Sequence, residues 1–220
     1  MTTKRTKITN LILDQLDKKL PFLYFIANRK LCHPKPFEEV ISEALDSGIH
    51  FIQLREKDLN SRDLQILTEK IKTLTSKYKA ILLINGNVDV ALAVDADGVH
   101  LPEASMPVAE VRKRLGNNKL IGKSIHLPLS LSDGDYNCID FVTLSPVFNP
   151  GEKDYSPETI GIERLKEIVP ALPVSVYALG GIKPNHIIEL KRAGASGIAV
   201  SSGIMKADDI KNKVEEYLKA

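Results

Sequence analysis

Residues 173–204 read PVSVYALGGIKPNHIIELKRAGASGIAVSSGI, and the order of elements in this stretch decides the fold. An apolar, β-branched run from Val174 to Leu179 meets Gly180-Gly181. Pro184 then opens an apolar pattern of helical spacing, and Gly194 precedes a second apolar run, Gly197 to Val200. Strand, turn, helix and strand follow from that punctuation. Crossovers of this kind are right-handed, so the two strands are expected to be parallel, with Gly180-Gly181 and Ser201-Ser202-Gly203 at the same end. Loops this small let backbone N–H groups approach an anion, and a helix N-terminus beside them adds partial positive charge, so a phosphate is the expected occupant. Tight turns alone also require glycine. Two such loops one βα unit apart favour the site.

Outward from this unit the same alternation continues. Residues 1–9 are expected to fray, and 10–20 to form a preliminary helix ending at Pro21. Strands are expected at Phe22–Ala27, His50–Leu54, Ala80–Ile84, Gly98–Leu101, Leu120–Ile125 and Phe141–Phe148. Between them the helical patterns start at Pro36, at Ser61 as cap of a helix to Tyr78, at Val88, at Pro107 before the stop at Gly116, at Leu127–Leu131 and at Gly161–Ile168. A last helix covers Asp208–Leu218. Apolar strands separated by amphipathic helices indicate a parallel sheet covered on both faces. About eight βα units make a closed (β/α)₈ TIM barrel of the α/β class, with an extra N-terminal helix, the first expectation; a doubly wound open sheet is second, and no GxGxxG follows the first strand.

With 220 residues, 43% hydrophobic and 26% charged, the chain can bury a sizeable core, and one domain over 1–220 is expected. A net charge of +2 argues against nucleic acid, and no segment is apolar for long enough to span a bilayer. Cys32 and Cys138 stand far apart without metal-ligand spacing, which fits reduced thiols and a cytoplasmic location.

In such a barrel, chemistry collects where strands run into βα loops. Alternation puts Gln53, Arg55 and Lys57 on one side, where an amide, a guanidinium and an ammonium suit phosphate or pyrophosphate oxygens; an internal salt-bridged layer is the competing reading. Asn85 offers a donor and an acceptor, although Asn85-Gly86 also makes a bare turn. Ser124 and His126 end the fifth strand, the histidine able to move a proton near neutral pH or to serve structure alone. The polar loop 149–157 is long enough to act as a lid, with Lys153 its best-placed cation.

Taken together, LYFIAN at 23–28, QLREK at 53–57, INGNVDVALAVDADGVHLPEAS at 84–105, IGKSIH at 121–126, SPVF at 145–148, ALGGI at 178–182 and AGASGIAVSSGI at 193–204 resemble the thiamine phosphate synthase and thiazole tautomerase superfamily. The resemblance runs from Leu23 nearly to the C-terminus and implies a (β/α)₈ barrel. It implies that Gln53, Arg55, Lys57 and Asn85 match positions holding the pyrimidine substrate's pyrophosphate. Gly181, Ser201 and Ser202 match the thiazole phosphate cradle, which Gly180 and Gly203 complete in the residue reading. Ser124 and Lys153 match a ligand-contacting serine and the lysine of the mobile loop.

The departures carry more information. The synthases have an aspartate directly after the strand-three asparagine and another in the loop after strand four, and the pair holds Mg²⁺. Here these positions are Gly86 and Ser105, and the two threonines before the loop lysine are also missing. Asn85-Gly86, Leu101-Pro102, Ser105 and Ser124-Ile125-His126 resemble the tautomerase branch instead, in which the histidine matching His126 is implicated in proton transfer. The leading expectation is therefore an isomerase acting on a thiazole carboxylate phosphate, with His126 catalytic and no metal or other cofactor. The alternative is a divergent synthase that joins hydroxymethylpyrimidine diphosphate to thiazole phosphate, recruiting Mg²⁺ through Glu103 or Asp89. A third reading is a non-catalytic binder of a thiamine precursor. Expected partners are small phosphorylated thiazole or pyrimidine ligands, without nucleic acid or membrane, and a homo-oligomer stays open.

Overall fold

Parallel strands buried on both faces require nearly unbroken apolar sequence, and the observed strands largely have it, LIGKSI at 120–125 being the most polar. In the computed structural model, which describes residues 20–32, 34–126, 131–151 and 158–220, they are β1 (Leu23–Ala27), β2 (Phe51–Leu54), β3 (Ile81–Asn85), β4 (Gly98–Leu101), β5 (Leu120–Ile125), β6 (Phe141–Leu144), β7 (Ser175–Leu179) and β8 (Gly197–Val200). Each pairs in parallel with the next, and β8 returns to β1, Leu23 facing Ile198, which closes the barrel. Helices α1 (Phe37–Asp46), α2 (Ser61–Lys77), α3 (Val88–Ala93), α4 (Val108–Leu115), α5 (Asp133–Tyr136), α6 (Gly161–Ile168) and α7 (Ile187–Arg192) follow the first seven strands in turn. A single turn, α8 (Ser202–Met205), and then α9 (Ile210–Lys219) follow β8. In α1 the apolar stripe Phe37, Val40, Ile41, Ala44 and Leu45 is buried against the strands, as helical spacing requires. Among the described residues no helix is long and apolar enough to cross a membrane.

Several boundaries differ from the sequence reading for local reasons. The cap of α2 is Asn60, whose side chain accepts from the Asp63 amide, and Ser61 is the first helical residue. Strand β6 stops at Leu144, because Pro146 has no N–H to extend the ladder; Val147 and Phe148 still donate to Leu179 O and Gly180 O, so the chain keeps running beside β7. The segment opened by Pro184 begins as a 3-10 turn before α7. Residue 131 is not helical; α5 starts two residues later behind a Ser132–Asp135 capping box. The preliminary helix, the frayed terminus, most of segment 127–131 and Lys153 lie outside the described residues.

Closing eight strands turns alternate side chains inward, and here the lower interior is filled by rings. Tyr24 stacks on Phe51 at 4.1 Å between centroids, and Phe141 and Tyr177 meet both edge-on at 5.4–5.9 Å and each other at 5.3 Å. Glycines make the space. A Cβ on Gly122 would lie 2.3 Å from Phe141 Cζ and 2.6 Å from His100 Nδ1, and one on Gly197 would lie 2.3 Å from Tyr177 Cε1. Tyr177 also donates to Pro21 O at 2.9 Å, tying the ring layer to the bottom of the barrel. The upper interior layer is polar, beginning with Gln53 and His100, both buried.

Gly122→Ala is expected to lower the unfolding free energy by about 1–3 kcal/mol, since the added methyl meets two rings held on neighbouring strands. The urea midpoint measures this, and an unchanged midpoint would mean that the ring layer yields freely. A second expectation concerns acid. Burial first, then the nearby Arg55 and Lys123 charges, pull the His100 pKa from 6.5 to about 3. The unfolded chain takes up this proton near 6.5 and the folded barrel refuses it, so the stability is fully present above 6.5. It is lost as pH falls towards 3, by about 1.4 kcal/mol per unit. Urea midpoints at pH 7 and pH 5 test the slope, and His100→Gln should flatten it.

Candidate active site

Above the rings, where the strands end, lies a cavity of about 500 Å³. Its floor includes Gln53, which donates through Nε2 to Tyr24 Oη at 2.9 Å while its Oε1 has no hydrogen-bond partner among the described residues. A buried carbonyl oxygen left this way is an acceptor waiting for a ligand donor. Arg55 and Lys57 line the same cavity, as alternation along β2 and its extension requires, and Glu56 between them is turned away. Its carboxylate accepts from the Arg29 amide at 2.6 Å, and burial raises its pKa. Neither Arg55 nor Lys57 has an ion-pair partner among the described residues, so the salt-bridged-layer reading is not what the geometry gives. Two uncompensated cations face the cavity.

Asn85, from the end of β3, lines the cavity beside them. Ser124 stands on β5 with its hydroxyl 2.9 Å from His100 Nε2. His100 Nδ1 is buried without a partner among the described residues, and an orphaned N–H is rarer than an orphaned lone pair, which puts the imidazole hydrogen on Nε2. His100 therefore donates to Ser124 and leaves the serine hydrogen for the cavity.

His126, directly after β5, points its Nδ1 at Glu103 Oε2 (2.9 Å) and its Nε2 at Ser145 Oγ (3.2 Å). A carboxylate only accepts, so Nδ1 carries the hydrogen in the neutral ring, and the Nε2 lone pair accepts from Ser145. All three residues line the cavity. Below them Lys123, also on β5, is buried, and its ammonium donates to Pro102 O, Glu103 O and Ser105 Oγ.

A second cavity, about 830 Å³, shares Leu179, Gly180, Ser201 and Ser202 with the first and adds Gly181 and Gly203. The two small-residue loops therefore do face each other. Their glycines are also dictated by packing: Gly180 and Gly181 have φ of +99° and +62°, and a Cβ would lie 2.8 Å from Pro146 Cα and 2.5 Å from Asn149 O, respectively. A Cβ on Gly203 would lie 2.6 Å from Tyr217 Oη, which donates to Ile182 O at 2.8 Å and so links both loops to α9. Ser201 spends its hydroxyl hydrogen on Ile26 O, leaving Ser202 and the first amides of α8, which lack intrahelical acceptors, for an anion.

The structure thus gathers Gln53, Arg55, Lys57, Asn85, Ser124, His126, Gly180, Gly181, Ser201, Ser202 and Gly203 around two joined cavities. Sequence reasoning missed His100, Ser145, Lys123 and Lys206. The rule that inward residues near strand ends face the mouth would have found His100 and Ser145; Lys123, which alternation turns outward between Gly122 and Ser124, and Lys206, lining the first cavity from just beyond α8, carry no such signal.

The donor set does not fit Mg²⁺. A hard dication is usually held through carboxylates together with phosphate oxygens, yet the positions to which the resemblance assigns carboxylates are Gly86 and Ser105, Glu103 lies 2.9 Å from His126 Nδ1, and the Lys123 ammonium lies against the loop that carries Ser105. Asp89 pairs with Arg114 outside the cavity lining, and no cluster of three or more His, Cys, Asp or Glu able to hold a metal exists among the described residues.

Known proteins agree with this architecture. A family model described as thiamine monophosphate synthase matches residues 23–204. The putative thiamine-phosphate synthase 2 of Aquifex aeolicus is 44% identical over 82% of this chain and 96% of its own length. A thiamine-phosphate synthase of Desulfitobacterium hafniense is 37% identical over 85% and 90%. The solved structure of a thiamine phosphate pyrophosphorylase from Pyrococcus furiosus superposes with a TM-score of 0.79 at 35% identity, covering 93% of this chain and 96% of that one. With matched residues running from β1 through the second of the two facing loops, the chain belongs to the thiamine monophosphate synthase (TMP-TENI) family of thiamine biosynthesis.

Proposed function

We propose that this chain is a thiazole tautomerase that works by moving a single proton on a thiazole carboxylate phosphate. The observation that carries the reading is the Glu103–His126–Ser145 arrangement, which leaves the imidazole Nε2 as the base facing the cavity. The substrate phosphate would sit between the 180–181 and 201–203 loops, and the carboxylate against Arg55 or Lys57. Nε2 would take the proton from the saturated ring carbon as that C–H bond breaks. The freed electron pair moves through the conjugated system, and the proton returns to its far end, forming a new C–H bond and an aromatic ring. Composition is unchanged. Glu103 would stabilise the transient imidazolium, and Ser145 would turn from donating to Nε2 to accepting from it.

The names of the relatives favour a second reading, a divergent thiamine-phosphate synthase that releases pyrophosphate. Cations at one end of the joined cavities and an anion cradle at the other would suit two phosphorylated heterocycles as well. An end-point assay of both reactions with and without Mg²⁺ separates the two. Isomerisation of the non-aromatic tautomer indifferent to chelator supports the proposal, whereas magnesium-dependent pyrophosphate release without isomerisation replaces it with the synthase. Ligand-induced stabilisation with neither turnover leaves a binding protein. For the tautomerase, His126→Ala is expected to reduce kcat by about 10²–10⁴-fold; equal rates for variant and native protein would remove His126 from the reaction.

A further inference from the structure

A lysine ammonium has three hydrogens to donate, and in Lys123 all three are spent on one short loop. They go to Pro102 O at 2.7 Å, Glu103 O at 2.8 Å and Ser105 Oγ at 2.8 Å. The residue is 5% exposed, and burial draws its pKa down, against the raising effect of Glu103 and Asp135. None of its donors is left for a ligand, and it is absent from the lining of the cavity that holds His126. What it fixes is the backbone from which Glu103 projects. The Glu103 side chain is 41% exposed, and from that backbone its carboxylate reaches to 2.9 Å from His126 Nδ1. Lys123 and His126 also leave the same strand end, three residues apart, so the clamp and the base share one rigid support.

We propose that Lys123 is a positioning residue that sets the tautomer of His126 through Glu103. By holding the 102–105 loop, it keeps a carboxylate against Nδ1, and that contact keeps the hydrogen on Nδ1 and the lone pair on Nε2. The catalytic consequence rests on the tautomerase reading; the tautomer itself does not.

The test reads both. In ligand-free protein, ¹⁵N chemical shifts of the neutral His126 ring give the ratio of Nδ1–H to Nε2–H forms. The native protein should favour Nδ1–H, and Lys123→Met should lower that ratio by at least about threefold, with kcat falling about 10–100-fold and KM within about twofold. Ser105→Ala, which removes one acceptor and leaves the lysine, should move both readouts the same way by a smaller factor. In a Glu103→Ala background, Lys123→Met should change neither further, because the carrier of the effect is gone. An unaltered tautomer ratio in Lys123→Met, or in Ser105→Ala should the methionine variant fail to fold, overturns the proposal. So does an equal loss with and without Glu103. A shifted ratio combined with full activity of His126→Ala would sink the proton-shuttle reading and leave the positioning role standing.

Discussion

Closure of eight strands forces alternate side chains into a confined interior, and every other feature of the molecule depends on how that space is filled. Four aromatic rings occupy the lower half, with Gly122 and Gly197 giving up their side chains so that Phe141 and Tyr177 fit. The polar groups in that half, the hydroxyls of Tyr24 and Tyr177, are hydrogen-bonded to Gln53 and Pro21 O. The strands then bring Gln53, His100, Ser124 and Ser145 to the next level, and the cavity begins where the rings stop. The site is open at one end only because the other is solid.

Two kinds of electrostatic arrangement coexist at the open end. Arg55 and Lys57 face the cavity without acidic partners among the described residues, which suits a ligand that brings its own negative charge. The Glu103–His126 pair and the Lys123 clamp are instead internally balanced, with donors matched to acceptors before any ligand arrives. The first arrangement is suited to binding and the second to a defined proton position.

The sequence made the barrel legible because each strand is a short apolar run and each helix carries an amphipathic stripe; Gly98–Leu101, Leu120–Ile125 and Gly197–Val200 were delimited to the residue. Strand β6 was overextended, since Val147 and Phe148 are apolar enough to continue it and only the missing Pro146 amide stops the ladder. Alternation was enough to bring Gln53, Arg55 and Lys57 to one cavity. It could not reveal that Glu56 reaches back to Arg29, that Ser201 is committed to Ile26 O, or that Glu103 serves His126, because those contacts join residues 27, 175 and 23 positions apart. Nor does any periodicity announce that Lys123 bonds a neighbouring loop.

The fit of Phe141 against Gly122 also constrains how this lineage can drift. Bulk at 122 is traded against bulk at 141, so a lone enlargement at 122 meets a ring with nowhere to go, while a smaller residue at 141 relieves that contact and leaves only the His100 imidazole to shift. Substitutions here should be inherited as compensating pairs, and a descendant that changed both could alter the depth of the cavity floor while every residue at the mouth stayed the same.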